Sequence, residues 1–255
     1  MKKEIIITQI DEATLPGDNY ALLKLRRTDG KTFAGTQPGQ FVEVRIPGAD
    51  ILLRRPISVN NIDSQGRLWL LVRKAGRGTN RLASMKAGES IDIVSPLGSG
   101  FTTRLPEGSR ALLVGGGVGV APLLYLGRVL KDNGVNVEFL LGARSESDLL
   151  EINEFKEIAP VNISTEDGTA GQSGLVTTNS AFTHEWDMVF CCGPAPMMKA
   201  VAAICRKQGI ECEVSLENMM ACGVGACLCC VEKTVKGNVC VCTEGPVFNI
   251  KELTW

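Results

Sequence analysis

The sequence predicts a chain that is all-β in its first part and α/β in its second. An antiparallel β-barrel is expected over residues 1–103, a parallel α/β domain over 104–211 and a cysteine-rich subdomain over 212–255. Three observations predict this. Short alternating runs recur about every ten residues before residue 100, strand and helix patterns alternate from residue 108, and cysteine becomes dense after 212. With 255 residues, 44% hydrophobic and 22% charged, the chain has enough apolar material for a packed core and is not a disordered segment.

In the first region the expected strands cover 4–8, 20–25, 40–46, 57–60, 67–73 and 90–94. Pro16-Gly17-Asp18, Asp29-Gly30-Lys31, Pro47-Gly48 and Ser64-Gln65-Gly66 separate them, because these residue types preset turn backbones. A short helix is expected over 78–85. In the second region 110–114 reads as a buried strand running into glycines, and 122–131 as a helix stopped by Asn133-Gly134. Strands over 135–141, 162–165 and 188–191 follow, with helices over 148–158 and 196–208, the last ended by Gly209. The tail reads as a hairpin, 231–235 and 239–242, around Lys236-Gly237-Asn238.

Twenty-seven basic and 28 acidic residues nearly cancel, and no run of one sign appears. Neither nucleic acid nor a membrane surface is therefore expected as a partner. The apolar run at 5–7 is far shorter than the roughly 7–15 residues of a secretory signal, and the glycine-broken run at 110–126 is shorter than the ~20 residues of a membrane span. The chain is expected in the cytoplasm. Ten cysteines there point to metal or redox chemistry rather than to disulfides. The lone His184 argues against His-rich zinc catalysis and a Ser-His-Asp triad, and no catalytic acid or base is expected.

Cys222, Cys227 and Cys230 form C-x4-C-x2-C, with Cys240 and Cys242 downstream. That is the plant-type spacing for a [2Fe–2S] cluster. Small residues between the first two cysteines let the loop wrap closely, and its N–H groups can then point at sulfur. Gly223 and Gly225 can adopt the positive φ that such wrapping demands. Structural zinc is the alternative, but it usually brings paired C-x2-C arms, and one arm is present. Cys240 and Cys242 lie two apart on an expected strand and share a face, so alternation does not choose between them. Cys191, Cys205, Cys212 and Cys229 are expected to pack as small apolar groups.

The run from Gly115 to Pro122 (GGGVGVAP) joins a strand to a helix and fits G-x-G-x-G-x-x-P rather than G-x-G-x-x-G. Glycines allow close backbone approach, and a helix N-terminus offers N–H groups to a pyrophosphate. Pro122 suits the first helical turn, where its missing N–H costs nothing. Arg54-Arg55-Pro56-Ile57-Ser58 offers a second place where arginine and a hydroxyl can grip a diphosphate.

Together these segments resemble the ferredoxin–NADP reductase superfamily across nearly the whole chain. Arg55, Pro56, Ile57 and Ser58 are similar to its R-x-[YF]-[ST] flavin motif, with Ile57 in place of the aromatic. Gly78-Thr79 resembles the G-T pair at the flavin diphosphate. Gly115, Gly117, Gly119 and Pro122 look like the nucleotide motif, and Gly142-Ala143-Arg144 with Asp148-Leu149 resembles G-x-R-x-x-x-D-L. Cys192, Gly193 and Pro194, followed by Met197, are similar to the C-G-P-x-x-M signature beside the nicotinamide.

One branch fits more closely. The run Ser215–Cys227 (SLENMMACGVGAC), with Val241-Cys242-Thr243-Glu244-Gly245-Pro246-Val247-Phe248, resembles the electron-transfer subunits of NAD-dependent dihydroorotate dehydrogenases. The resemblance implies that the barrel binds flavin and that Cys242 joins Cys222, Cys227 and Cys230 as ligands of a [2Fe–2S] cluster. It adds Leu71, Val72 and Arg73 to the FAD contacts, with Val72 where an aromatic is common, and gives Cys192 a shaping role beside NAD, the co-substrate. It also implies an FMN-containing catalytic subunit as partner in a heterotetramer serving pyrimidine biosynthesis. Dihydroorotate oxidation is not expected from this chain alone. Arg144 can meet a 2′-phosphate, but the resemblance favours NAD over NADP. The alternatives are a subunit of an NAD(P)H-dependent ferredoxin or hydrogenase-type reductase and, more remotely, a non-redox zinc or interaction module.

Overall fold

The computed structural model describes residues 3–48 and 50–255. Met1 and Lys2, at the start of the expected barrel, and Ala49, after the Pro47-Gly48 turn, lie outside the described residues. The first domain is a seven-stranded antiparallel sheet built from β1 (Glu4–Gly17), β2 (Tyr20–Arg27), β3 (Phe41–Val44), β4 (Arg55–Ser58), β5 (Asn61–Ile62), β6 (Leu68–Arg73) and β7 (Ser90–Leu97). Their order is β4-β3-β7-β1-β2-β6-β5. The curled edges meet where β4 touches β6 and where Asn60 N–H donates to the Trp69 carbonyl at 3.0 Å.

Alternation explains the curl. On β7, Ile91, Ile93, Ser95 and Leu97 point inward while their neighbours are partly or fully exposed. β1 runs nine residues beyond the expected 4–8 segment. Its second half looks too polar for a strand, but Asp11 pairs with Arg26, and Glu12 with both Lys24 and Arg67. Cross-strand charge pairs of this kind stabilise a sheet face. The expected short helix is α1 (Arg77–Ala83).

The second domain carries β8 (Arg110–Gly116), α2 (Ala121–Asp132), β9 (Asn136–Ala143), α3 (Ile152–Ile158), β10 (Val161–Thr165), β11 (Gln172–Ser173), β12 (Met188–Cys192), α4 (Ala195–Gln208) and β13 (Glu211–Ser215). Parallel pairing gives the order β11-β10-β9-β8-β12-β13, with a further strand from the tail (Val247–Asn249) at the far edge. The chain winds outward from β8 in one direction and returns through β12 in the other. The switch point lies between these two strands. β12 is buried throughout, as a strand covered on both faces must be. Gly209 ends α4 in the left-handed conformation at φ 71°.

The helix expected over 148–158 is shorter than predicted. A 3₁₀ turn holds Glu146–Asp148, Leu149 is extended, and Glu151 takes φ 53° before α3 begins at Ile152. Phe155 of α3 meets Phe139 of β9 edge-on, with ring centroids 4.8 Å apart. Gly127 of α2 admits the Phe139 ring, which would stand 2.3 Å from any Cβ there.

The tail contains β14 (Val231–Thr234), β15 (Gly237–Cys240), the single turn α5 (Val241–Glu244) and β16 (Val247–Asn249). β16 pairs antiparallel with β13, Ser215 opposite Val247. Among the described residues, no helix is long and apolar enough to cross a membrane.

Candidate functional site

Of the two adjacent arginines, Arg54 is committed to the barrel: its Nη1 and Nη2 donate to Asp92 Oδ1 and Oδ2 at 2.9 and 3.1 Å. Arg55, on β4 with the half-buried Pro56, Ile57 and Ser58, turns onto the start of α1. A Cβ on Gly78 would stand 2.9 Å from Arg55 Nε, so a side chain there would displace the guanidinium from its present place. Thr79 spends its hydroxyl on the same helix start, accepting from Ala75 and Gly76 N–H at 2.9 and 3.1 Å. The structure thus brings Arg55, Gly78 and Thr79 together. On β6, Val72 belongs to the barrel core and Leu71 to the core of the second domain. Only Arg73 of that trio presents an exposed side chain.

The glycine turn sits at the switch point, where open α/β sheets bind their ligands. Gly119 is locked against the end of β12: a Cβ there would meet Cys192 O and Gly193 Cα, each at 2.5 Å. Gly116 is equally tight against Met197 Sδ. Gly117, by contrast, has φ 55° and open space where a side chain would stand, and Pro122 is buried in the first turn of α2. The turn therefore packs on the end of β12, Gly119 against Cys192 and Gly193 and Gly116 against Pro194 and Met197, with Gly115 and Pro122 buried beside it and Gly117 left open.

Burial pushes the Cys192 thiol well above its ordinary range, and the Glu217 charge adds to this while the Ser215 hydroxyl opposes it. Cys192 stays a neutral thiol and not a nucleophile. Glu217 is a residue the sequence reading missed. Burial raises its carboxyl while Arg73 lowers it, and it stands two residues beyond β13, the strand that pairs with β12.

All ten cysteines are free thiols. Gly223 and Gly225 adopt φ 67° and 83°, and the loop they shape wraps around sulfur. Val224 N–H donates to Cys222 Sγ at 3.4 Å, Gly225 N–H to Cys242 Sγ at 3.2 Å and Cys242 N–H to Cys230 Sγ at 3.4 Å. The Val224 amide is the main reason the Cys222 thiol is held below its usual range, and burial is the main reason Cys242 is held above it. Cys222 lies beside Cys227, and Cys230 beside both Cys242 and Cys240. Among the described residues no three His, Cys, Asp or Glu side chains close on a single-ion point. Clustered thiols fringed by N–H donors fit a two-iron cluster.

Two sequence expectations fail here. Cys240 and Cys242 do not share a strand face, because β15 ends at Cys240 and Cys242 lies in the α5 turn. Cys229, expected to pack, is exposed, whereas Cys191, Cys205 and Cys212 are fully buried. The turn at α5 arises where Val241 buries itself and Cys242 folds back over Cys230.

The cysteine loop abuts the barrel. A Cβ on Gly223 would stand 2.7 Å from Glu43 Cγ and 3.1 Å from Leu97 Cδ1. Glu43 lies on β3 directly opposite Pro56 of β4, and burial pushes its carboxyl up to about 7. Neither oxygen has a hydrogen-bond partner among the described residues.

Residues 8–101 match the oxidoreductase FAD-binding domain, residues 113–203 the oxidoreductase NAD-binding domain, and residues 217–254 the iron–sulfur cluster binding domain of dihydroorotate dehydrogenase B. Fold and site together define an oxidoreductase chain with places for FAD, NAD and an iron–sulfur cluster. A dihydroorotate dehydrogenase B (NAD(+)) electron transfer subunit from Shouchella clausii is 40% identical over 99% of this chain and 98% of its own length. One from Bacillus caldolyticus is 42% identical over 85% of this chain and 86% of its own. The chain belongs to this family of electron transfer subunits. A solved NADH-dependent reduced ferredoxin-NADP oxidoreductase is similar at 30% identity and a TM-score of 0.85, over 97% of this chain and 90% of that one. Flavohemoglobin from Malassezia yamatoensis, at 19% identity and a TM-score of 0.69 over 81% of this chain and 57% of that one, shares the fold alone.

Proposed function

We propose that this chain delivers electrons from a dihydroorotate-oxidising, FMN-containing catalytic subunit to NAD+, by way of a [2Fe–2S] cluster and FAD. The setting is pyrimidine biosynthesis in the cytoplasm, within a heterotetramer of two subunits of each kind. The observation that carries this is the seating of the cysteine loop on β3, the strand beside β4: Gly223 packs on Glu43 and Leu97. The electron carrier and the flavin motif are then neighbours across one strand.

The bound groups supply one-electron exchange at iron–sulfur and hydride exchange between flavin and nicotinamide. The chain's own residues bind and orient. Arg55, with Gly78 and Thr79, offers charge-assisted and backbone hydrogen bonds to the FAD diphosphate, beside Pro56, Ile57 and Ser58. Of the β6 trio, Val72 backs this motif from the barrel core, Leu71 faces the second domain, and Arg73 offers the exposed side chain. Gly117, at the head of α2, gives the NAD pyrophosphate access to free N–H groups, while Gly115 and Gly119 hold the turn closed. Cys192, neutral and buried, shapes the nicotinamide pocket with Gly193 and Pro194.

Local polarity supports Cys242 as the fourth ligand. Cys242 Sγ receives the Gly225 amide, which stabilises a thiolate, whereas Cys240 Sγ faces the Gly225 carbonyl at 4.0 Å, which repels one. Cys222, Cys227, Cys230 and Cys242 are the set this favours. Exposed Met219, Val224 and Leu228 surround the loop and suit a docked catalytic subunit. Ten unpaired thiols accord with a reducing compartment. The units 1–103, 104–211 and 212–255 are the working division, with β13 straddling the second boundary.

A second reading, a subunit of an NAD(P)H-linked ferredoxin reductase, draws on the 30% identity and TM-score of 0.85 noted above. One experiment separates the two. The chain is mixed with an FMN-containing dihydroorotate-binding subunit, and NAD+-dependent orotate formation is followed. Turnover that needs both subunits supports the first reading; turnover with ferredoxin only supports the second.

A further inference from the structure

Glu151 is the one buried acid in the second domain that no motif explains. It has only 6% exposure, and its backbone holds φ 53°, ψ 30°, a left-handed conformation that costs a side-chain-bearing residue energy. Its Oε2 accepts from Asn60 Nδ2 at 2.9 Å, and the same Nδ2 donates to the Ala121 carbonyl at 3.2 Å. The backbone of Asn60 completes the junction, since its carbonyl accepts from Tyr125 N–H at 3.1 Å. Asn60 thereby grips the first turn of α2 at both Ala121 and Tyr125, and Glu151 fixes the amide that does so. Asn60 Oδ1 and Glu151 Oε1 accept nothing among the described residues. The arrangement is specific but not saturated.

Its position gives it a role. Asn60 lies two residues after Ser58, the end of the flavin motif, and Ala121 two residues after Gly119, the end of the glycine turn. We propose that Glu151 is a positioning residue: acting through Asn60, it locks the start of α2 to the end of β4. It thereby sets the placement of the nucleotide turn relative to the flavin strand. The inference rests on the flavin and nicotinamide reading above. A residue kept only for stability would not be a strained, buried carboxyl, because an apolar chain of the same length avoids the desolvation.

The test uses the full chain loaded with its cofactors, and three variants. Glu151→Gln retains an acceptor for Asn60; Glu151→Met keeps the length and removes it; Asn60→Ser reaches neither partner. Steady-state NADH-dependent dye reduction, NAD+ titration and hydrogen exchange of the 121–125 amides are measured. Glu151→Met and Asn60→Ser are expected to raise KM for NADH about fivefold or more, with kcat within about twofold. They should also weaken NAD+ binding in step and speed exchange at Tyr125, while Glu151→Gln behaves as the parent. Unchanged KM and exchange in Glu151→Met, or an equal loss in Glu151→Gln, overturns the proposal. Should one variant fail to fold, the other carries the same comparison. Absence of NADH-dependent reduction in the parent chain would refute the functional reading instead, and the exchange measurement would still decide on the lock.

Discussion

Cys240 and Cys242 differ at the level of single atoms, a carbonyl facing one sulfur and an amide facing the other. Serine at Cys222, Cys227, Cys230 or Cys242 is expected to abolish the EPR signal of the reduced chain, and Cys240→Ser to leave it. Loss at 240 with retention at 242 would reverse the ligand choice. Arg55→Ala removes a charged donor worth about 1.5–3 kcal/mol, so FAD should bind roughly 10- to 100-fold more weakly while cluster absorbance persists. Unchanged flavin occupancy after gel filtration would count against Arg55. Spacing singles out Cys222, Cys227, Cys230 and the Arg55 motif in the sequence, but it leaves Cys240 and Cys242 open, and only the family resemblance points to Cys242 there. Glu43 and Glu151 were not legible, since a carboxylate in a string of letters carries no sign that the fold will bury it; nor was Glu217, whose place near Arg73 comes from a distant stretch of chain. The exposure of Cys229 was illegible for the same reason.

The elements repeat this division. β12 and α4 read directly from apolar runs and a terminal glycine, whereas the length of β1 depends on partners at Lys24, Arg26 and Arg67 that are distant in sequence. The break before α3 has no local signal at all; Glu151 adopts its backbone because Asn60 waits for it. This break has a measurable cost. Burial raises the Glu151 carboxyl from 4.5 to about 7, so between those values the folded chain holds more protons than the unfolded one. Stability is fully present below about pH 4.5 and is lost as pH rises through 7, by up to about 3 kcal/mol. Glu154, which adds to the shift, is the neighbouring charge. Urea melts at pH 5 and pH 8 should show this fall in the parent chain and a smaller one in Glu151→Gln; equal falls would exclude Glu151 as its source. In the glycine turn, Gly119→Ala drives a methyl into two backbone atoms at 2.5 Å. A loss of about 1–3 kcal/mol is expected, together with weaker NAD+ binding, and a melting temperature equal to the parent's would refute that packing.

Across the whole molecule, flavin strand, nucleotide turn and cysteine loop converge although they are drawn from three stretches of chain. Membership of a family of electron transfer subunits leads to a direct expectation. The isolated chain should reduce dyes with NADH yet form no orotate from dihydroorotate, and turnover of dihydroorotate without a partner would contradict the subunit assignment. The order of domains was legible from rhythm alone, but the return of β16 to the second sheet was not, because three residues are too few to carry a period. That return has an architectural consequence. Ser215 and Val247 face each other across an antiparallel pair, so everything between them is an excursion whose two ends are already joined, about 5 Å apart. The excursion is bolted down as well as closed at its base, since Leu216, Cys230, Val241 and Cys242 are buried in the core shared with the second sheet, so the cysteine loop is held by the sheet as firmly as any of its own strands.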